Sequence, residues 1–350
     1  MFVFRGILFT ISVAIFISPT AFAGQRCKNK GQASVPTKPD QLVEINQKDL
    51  KRLQNLYKPD GYKRYITYTT IENYIRWLKQ DPNLKDVKFF CLNGDFTDGT
   101  FVVTDRNDIY ADTLYESNHR LHRLLSLINY SNGCIFTGIR TDLKPVIIDA
   151  LKEVNVNIAL DRTSLLYYLP KEEALKFDVE RLPEGIELRQ IRDIHDIEKA
   201  NSVWPNRNPN SLRCLQRMAK YNPQVGAYKE DGTLAAWLFS YSTGFLGPLQ
   251  VDENYYGKGY AGLVTKYVAK KIAENGHDAY ASIVEKNAPS RSLFTKLGFK
   301  SIGEVQRIQT ESKLSITMRP PNKMSITAHG SLKNENFFPL PRVFWHASLI

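Results

Sequence analysis

Cysteine is scarce in this chain, and its placement excludes the common metal sites and disulfide frameworks. Zinc sites and small disulfide-stabilised domains need cysteines or histidines at close, regular spacing. Here 350 residues contain four cysteines, with no C-x-x-C pair and no H-E-x-x-H sequence: Cys27, Cys91, Cys134 and Cys214. We therefore expect reduced cysteines and no bound metal.

Concentrated positive charge is also lacking. The formal net charge is +11, but the lysines and arginines are scattered rather than gathered in one tract. A nucleic-acid-binding surface normally combines a basic patch with a recognisable binding motif, and the sequence shows neither. We interpret the charge as a solvated basic surface and expect no nucleic-acid partner.

No stable membrane span is expected. The apolar run 6–17 holds about a dozen residues, whereas a spanning helix needs about 20. Arg5 precedes the run and Ala21-Phe22-Ala23 follows it, a pattern typical of a secretory signal peptide over residues 1–23. The alternatives are a short membrane anchor, a buried helix or a wrongly joined first exon. Residues 24–41 are polar and indicate a flexible leader.

The sequence does contain a glycine-rich turn between a predicted strand and a predicted helix. The apolar strand is 245–251, the turn is 256–262, and an apolar stripe typical of a helix begins at Leu263. Glycines leave backbone N–H groups uncovered, and a helix start adds unpaired N–H groups and a partial positive charge. The turn therefore predicts an anion site suited to phosphate, although no Lys-Ser or Lys-Thr pair completes a P-loop. A tight turn without a ligand is the alternative.

A second motif follows the turn. Residues 278–284 alternate as a strand, and Asn287 then leads a helix with Pro289 in its first turn and Gly298 at its end. These two motifs in this order resemble the GNAT superfamily of N-acetyltransferases. The resemblance implies an α/β fold, the α+β GNAT fold, with a mixed central sheet flanked by helices. It also implies that strand 245–251 carries a bulge and splays from its neighbour, so that pantetheine pairs with its backbone.

The resemblance further implies acyl-CoA as co-substrate and assigns its contacts. They fall on the strand, the turn and the head of the next helix: Leu249, Gln250, Val251, Tyr256, Gly257, Lys258, Gly259, Tyr260, Ala261, Gly262, Asn287 and Ser290. Three positions depart from the superfamily pattern. Tyr256 replaces an Arg or Gln at the start of the turn. Phe245 aligns near the base glutamate of glycine acyltransferases, and Phe294 replaces a general-acid tyrosine.

These three departures leave the identity of the catalytic base undetermined. A protonated amine must lose a proton before it attacks a thioester, so a base or a water chain is needed. Glu253 and Glu285, with Asp252 beside them, lie at predicted strand ends and are the candidate catalytic residues. Each also fits an ordinary surface carboxylate. Without a dedicated base we expect activity to favour alkaline pH.

The rest of the chain predicts a second α/β half without a glycine turn. Helices are predicted near 50–57, 71–78, 111–129 and 143–154, with strands at 87–92, 101–104, 133–139 and 165–169. The pattern resets near residue 181. The predicted organisation is a signal peptide 1–23, a leader 24–41, an N-terminal GNAT-like half 42–180 without a cofactor motif, a C-terminal GNAT N-acyltransferase domain 181–318, and an irregular tail 319–350.

Residues 42–310 as a whole resemble the glycine N-acyltransferase group and its insect-type relatives, which have two tandem halves. The resemblance implies an N-acyltransferase of the EC 2.3.1 type and a small amine acceptor such as glycine or another amino acid. A non-catalytic acyl-CoA-binding protein and a protein-lysine acetyltransferase are the alternatives. We expect a monomer. The signal peptide suggests the secretory pathway, whereas acyl-CoA chemistry suggests the cytoplasm or the mitochondrion.

Overall fold

The computed structural model describes residues 38–312 except residue 60. The predicted signal peptide 1–23, the predicted tail 319–350 and most of the leader lie outside these residues. The strands are β1 (Leu42–Glu44), β2 (Val87–Leu92), β3 (Phe101–Asp105), β4 (Asp108–Asp112), β5 (Ile135–Arg140), β6 (Ile158–Leu169), β7 (Ile186–Arg189), β8 (Val225–Lys229), β9 (Leu234–Ser240), β10 (Phe245–Val251), β11 (Ala279–Ile283) and β12 (Lys300–Thr310). The helices are α1 (Leu50–Leu56), α2 (Tyr62–Gln80), α3 (His119–Ser126), α4 (Lys144–Glu153), α5 (Lys171–Ala174), α6 (Ile194–Ser202), α7 (Ser211–Tyr221), α8 (Tyr260–Glu274) and α9 (Ala288–Lys296).

The same order of elements occurs twice. β1, α1, α2, β2 to β4, α3, β5, α4 and β6 are followed, after the short α5, by β7, α6, α7, β8 to β10, α8, β11, α9 and β12. In both halves the fourth and fifth strands are parallel neighbours, β4 with β5 and β10 with β11. The other pairs described are antiparallel. The predicted mixed sheet of two tandem halves is therefore confirmed.

The two halves exchange their last strands. The sheet order is β1-β2-β3-β4-β5-β12-β6-β11-β10-β9-β8-β7. β6, the last strand of the first half, pairs with β11, and β12 pairs with β5. β6 and β12 also pair with each other, from Lys300↔Tyr168 to Thr310↔Ile158. The predicted domain boundary lies between residues 180 and 181. Strands from both sides of this boundary pair with each other in one continuous sheet.

Helices α2 and α7 form a second joint between the halves. The indole of Trp77 on α2 stacks on Tyr221 of α7 with ring centroids 5.3 Å apart, and its Nε1 donates to Asn222 Oδ1 at 2.8 Å. Arg76 donates to the backbone oxygen of Tyr221 at 2.9 Å. Trp77 is buried, so this contact gains both apolar burial and satisfied polar groups.

The predicted long helix 111–129 is wrong. Residues 108–112 form strand β4, and α3 begins only at His119, after Asn118 in the left-handed conformation with φ +55°. Tertiary pairing with β3 and β5 decides this segment, because Ile109 and Tyr110 are buried as strand residues. Within the described ranges the three cysteines are free, and no helix is long and apolar enough to cross a membrane.

The strand exchange predicts that neither half folds alone. A fragment of residues 181–318 would keep β12 without either of its partners and would leave the β11 edge open. We expect this fragment to lack a cooperative thermal transition by circular dichroism, whereas co-expression with residues 42–180 should restore one. A monomeric 181–318 fragment that melts cooperatively would contradict the prediction.

Candidate functional site

A gap opens between the parallel strands β10 and β11. They pair only at Phe245↔Tyr280 and Leu246↔Ala281, and past these residues β10 stays paired with β9 alone. The register of β10 on β9 shifts between Leu246 and Leu249, which is a β-bulge of the kind that re-aims a strand. The gap is therefore closed at Leu246 and open towards the carboxyl ends of both strands.

Two residues of β10 direct backbone groups into this gap. Asp252 N–H donates to the Ala235 oxygen of β9 at 2.8 Å. Because bonded pairs alternate along an antiparallel ladder, Gln250 also bonds to β9, whereas Leu249 and Val251 face the gap. The Gln250 side chain is engaged elsewhere, since it accepts from Trp237 Nε1 and donates to the Val203 oxygen.

The glycine turn lies at the open end of the gap. Gly257 (φ +76°) and Gly259 (φ +80°) are left-handed, and a Cβ at either would have no atom within 4 Å. Within the described part of the chain, the N–H groups of residues 257–262 have no acceptor. Lys258 and Tyr256 are exposed beside them, with Lys258 Nζ 5.2 Å from the Tyr255 ring. Tyr260, Ala261 and Gly262 form the first turn of α8. The turn thus presents unbonded donors and positive charge to solvent.

The head of α9 adds two buried polar atoms without partners. Asn287 caps the helix by accepting from Ser290 N–H at 3.2 Å. Its Nδ2 and the Ser290 hydroxyl are buried but have no hydrogen-bond partner. Buried polar atoms are normally paired, so these two atoms are available to bind a ligand. Together with the turn and the gap, they fit acyl-CoA. No group of side chains that could hold a metal ion occurs in the described part of the chain.

The carboxylates predicted as candidate bases lie at the open end. Asp252 forms an ion pair with Lys199 at 2.7 Å. Burial acts to raise the pKa of Asp252, but hydrogen bonds from Lys199 and Asn254 outweigh it and hold that pKa below its ordinary value. Glu253 and Glu285 are exposed. Strands rise about 3.3 Å per residue, so Glu253, beyond the end of β10, stands about 16 Å or more from the closed end, and Glu285, four residues past Ala281, stands about 13 Å from it.

At the closed end lies a cleft that the sequence did not reveal. It is lined by residues of β5, β6, β10, β11 and β12 and of the loops before α7 and after β9, among them Arg162, Ser164, Asn206, Tyr241, Gln306 and Arg307. Arg162 and Arg307 stand directly opposite each other on β6 and β12. Their Nε atoms are buried without partners, and no carboxylate of the described residues lies within ion-pair distance of either. We call this the acceptor cleft.

Like charges directly opposite on neighbouring strands are destabilising. Burial, and then Arg307, lower the pKa of Arg162. Each guanidinium has one neutral partner: Arg162 reaches Asn206 Oδ1 at 3.5 Å, and Arg307 donates to Thr137 Oγ1 at 3.1 Å. An arginine pair held this way without a counter-ion is suited to bind an anion.

A further carboxylate lies behind this cleft. Asp108 lines an internal cavity of about 50 Å³ together with Thr137, Tyr241 and Arg307, which also line the acceptor cleft. Burial, and then Asp105, raise the pKa of Asp108 to about 6, while Arg307 lowers it. A polar cavity of this size has room for water.

The equivalent gap of the first half is filled by the protein itself. β4 and β5 pair only at Asp108↔Ile135 and Ile109↔Phe136. Beyond them, Arg140 NH1 of β5 lies 3.4 Å from Asp112 Oδ1 of β4, and Thr67 donates to the same carboxylate. The ion pair closes this gap, so the second half alone has an open one.

Known proteins share parts of this sequence and this fold. Residues 224–308 match the family model of FR47-like protein. A solved Drosophila protein is similar at 24% identity and a TM-score of 0.69, over 78% of this chain and 99% of that one. A tandem GNAT protein from the clavulanic acid biosynthesis pathway is similar at 11% identity and a TM-score of 0.47, over 78% and 98%.

A hybrid PKS-NRPS synthetase of Aspergillus flavus is 28% identical over 131 residues, which are 35% of this chain and 3% of the synthetase. This chain therefore spans only a small part of that curated relative. The FR47-like match contains the glycine turn and the head of α9, and the Drosophila structure shares the fold over both halves. The FR47-like family model thus matches residues 224–308, and the likeness to the Drosophila structure shows a shared fold.

Proposed function

We propose that this protein transfers an acyl group from acyl-CoA to the amine of a small acceptor that carries a carboxylate, such as an amino acid. The observation that carries the proposal is the gap between β10 and β11. It opens onto the unbonded N–H groups of the glycine turn and closes beside Arg162 and Arg307. Donor and acceptor would therefore meet at the closed end.

The chain would hold acyl-CoA from the open end of the gap inwards. The N–H groups of residues 257–262 would bind the pyrophosphate, with Lys258 adding positive charge. Leu249 and Val251 would pair with the pantetheine amides, and the unpaired atoms of Asn287 and Ser290 would complete the polar contacts. This arrangement places the thioester near Leu246.

The acceptor would bind from the other side of the closed end. Two guanidinium groups within hydrogen-bonding range of one small cleft can hold a carboxylate in a defined orientation. The ligand's charge would also relieve the repulsion between Arg162 and Arg307. Holding amine and thioester in attack geometry can contribute roughly 7–11 kcal/mol to lowering the barrier.

Asp108 is the carboxylate placed to accept the proton of the amine. With a pKa of about 6 it is mostly ionised at neutral pH, and water in its cavity could carry the proton from the acceptor cleft. The new amide bond forms as the C–S bond breaks, and CoA leaves as the thiolate. Glu253 and Glu285 stand at the pyrophosphate end, too far from the reacting atoms to act directly.

Replacing Gly259 tests the pyrophosphate site. Gly259→Val should abolish CoA binding in calorimetry, because its branched side chain would cover the free N–H groups. Gly276→Val is the matched control, since Gly276 is also left-handed with open space around it but lies at the other end of α8. Backbone strain of about 1–3 kcal/mol is common to both. Equal CoA affinity in the two folded variants would contradict the site.

Replacing the arginine pair tests the acceptor class. Arg162→Met and Arg307→Met should each raise KM for glycine by at least about tenfold. Arg162→Met, which leaves Arg307 near Asp108, should change little for glycinamide, which lacks the carboxylate. CoA affinity should be unchanged, and exposed Arg192→Met should leave both acceptors unaffected. An equal effect on glycine and glycinamide would remove the carboxylate from the proposal. Failure of the wild type to release thiol with any amine would instead favour a non-catalytic acyl-CoA-binding protein.

The pH profile tests the base. With Asp108 ionised as the base, kcat/KM should rise as pH increases through about 6, and then follow the fraction of free amine. Asp108→Asn should lose this limb and about 10²–10⁴-fold in rate, while Glu253→Gln and Glu285→Gln should change little. If kcat/KM of Asp108→Asn still rises through about pH 6, or if that rise disappears in Glu253→Gln, another group is the base.

A further inference from the structure

A second cavity, of about 400 Å³, lies between α2 and the second half of the chain. Its other walls come from α1, the segment 222–223 after α7, the end of β9 with the turn 241–244, the C-terminal end of α8 and the start of β11. No residue lining the acceptor cleft also lines this cavity. Cavities of about 300–1,000 Å³ are typical of sites for small organic ligands. We call it the α2 cavity.

Apolar walls and two threonine hydroxyls characterise the α2 cavity. Ile75, Ile272 and the Tyr280 ring supply apolar surface. Thr69 and Thr243 are 7% and 5% exposed; the hydroxyl oxygen of Thr243 is buried without a partner, and the Thr69 hydroxyl interacts with the Tyr65 side chain. Leaving a buried hydroxyl unpaired is costly. A ligand that has hydrogen-bonding atoms on an otherwise apolar body would suit this lining.

The charges around the α2 cavity favour an anion. Lys51, Arg76 and Lys79 line it, and in the described part of the chain they have no carboxylate within ion-pair distance. Arg76 is held by neutral oxygens, those of Tyr221, Asn73 and Asn222.

Two carboxylates also line the cavity, and both are engaged. Glu72 lies 3.1 Å from His277 Nε2, and Asp278 accepts from the Lys171 N–H at 2.8 Å. The lining therefore carries three cationic side chains against two carboxylates.

We propose that the α2 cavity binds a small carboxylate with an apolar body, of the size of an arylacetate. The ring would lie between the isoleucines and Tyr280. The carboxylate would meet Lys51, Arg76 and Lys79, and Thr69 would donate its hydroxyl hydrogen. The site shares no residue with the acceptor cleft or the glycine turn, although Thr243 also lines the cavity of Asp108. Since it joins α2 to the second half, a bound ligand stabilises that joint.

Calorimetry of the full-length protein with phenylacetate tests the site, with 2-phenylethanol as the neutral probe. We expect saturable binding of phenylacetate, weaker binding of 2-phenylethanol by at least about tenfold, and no displacement by saturating CoA. Thr69→Val keeps the shape but removes the hydroxyl, so it should weaken phenylacetate binding while leaving the melting temperature equal or higher. If Thr69 only stabilised the fold, Thr69→Val would lower the melting temperature together with the affinity for phenylacetate.

Reversing the charge of two lysines that line the α2 cavity supplies the second test. Lys51→Glu combined with Lys79→Glu should weaken phenylacetate binding by at least about tenfold. Lys63→Glu combined with Lys85→Glu makes the same change in net charge away from the cavity and should have little effect. Three results would each overturn the proposal: no binding at millimolar phenylacetate, equal binding of 2-phenylethanol, or competition with CoA. Equal losses in the two double variants would overturn it as well.

Discussion

The pairing of β6 with β12 is the constraint on which both the fold and the site depend. Each strand is the last of its own half and pairs with strands of the other half. Neither half therefore completes its part of the sheet alone. The same pairing sets Arg162 opposite Arg307. A repulsive pair in the middle of a sheet is tolerated because the surrounding ladder fixes both strands. The strand exchange therefore builds the acceptor cleft as well as the continuous sheet.

The two halves use the same gap in opposite ways. Counting from the last paired residues, Asp112 is three residues past Ile109 and Arg140 is four past Phe136. The same steps from Leu246 and Ala281 reach Leu249 and Glu285. An ion pair between the first two residues closes the gap of the first half, whereas an apolar residue and an exposed carboxylate leave the second gap open. The first gap is thus closed by the protein's own side chains, and the second stays open.

Sequence patterns identified what is local and missed what the sheet brings together. The glycine turn and the Asn287-led helix are continuous segments whose backbone requirements are visible in residue type. The arginine pair joins residues far apart in the chain, and only the strand exchange makes them neighbours. Asp108 was missed for another reason. The predicted helix 111–129 extended into β4, so the strand that carries Asp108 was not recognised.

The arginine pair and Asp108 are coupled electrostatically, and the coupling has a direction. In the free protein Arg307 lowers the pKa of Asp108, in opposition to burial and Asp105. An acceptor carboxylate bound to the arginine pair would offset part of that positive charge, and the pKa of Asp108 would rise. A base with a higher pKa takes a proton from an amine more readily, provided that it stays ionised at the working pH. Under the proposed function, an acceptor with a carboxylate would therefore strengthen the base that its own amine requires, and a neutral amine would not.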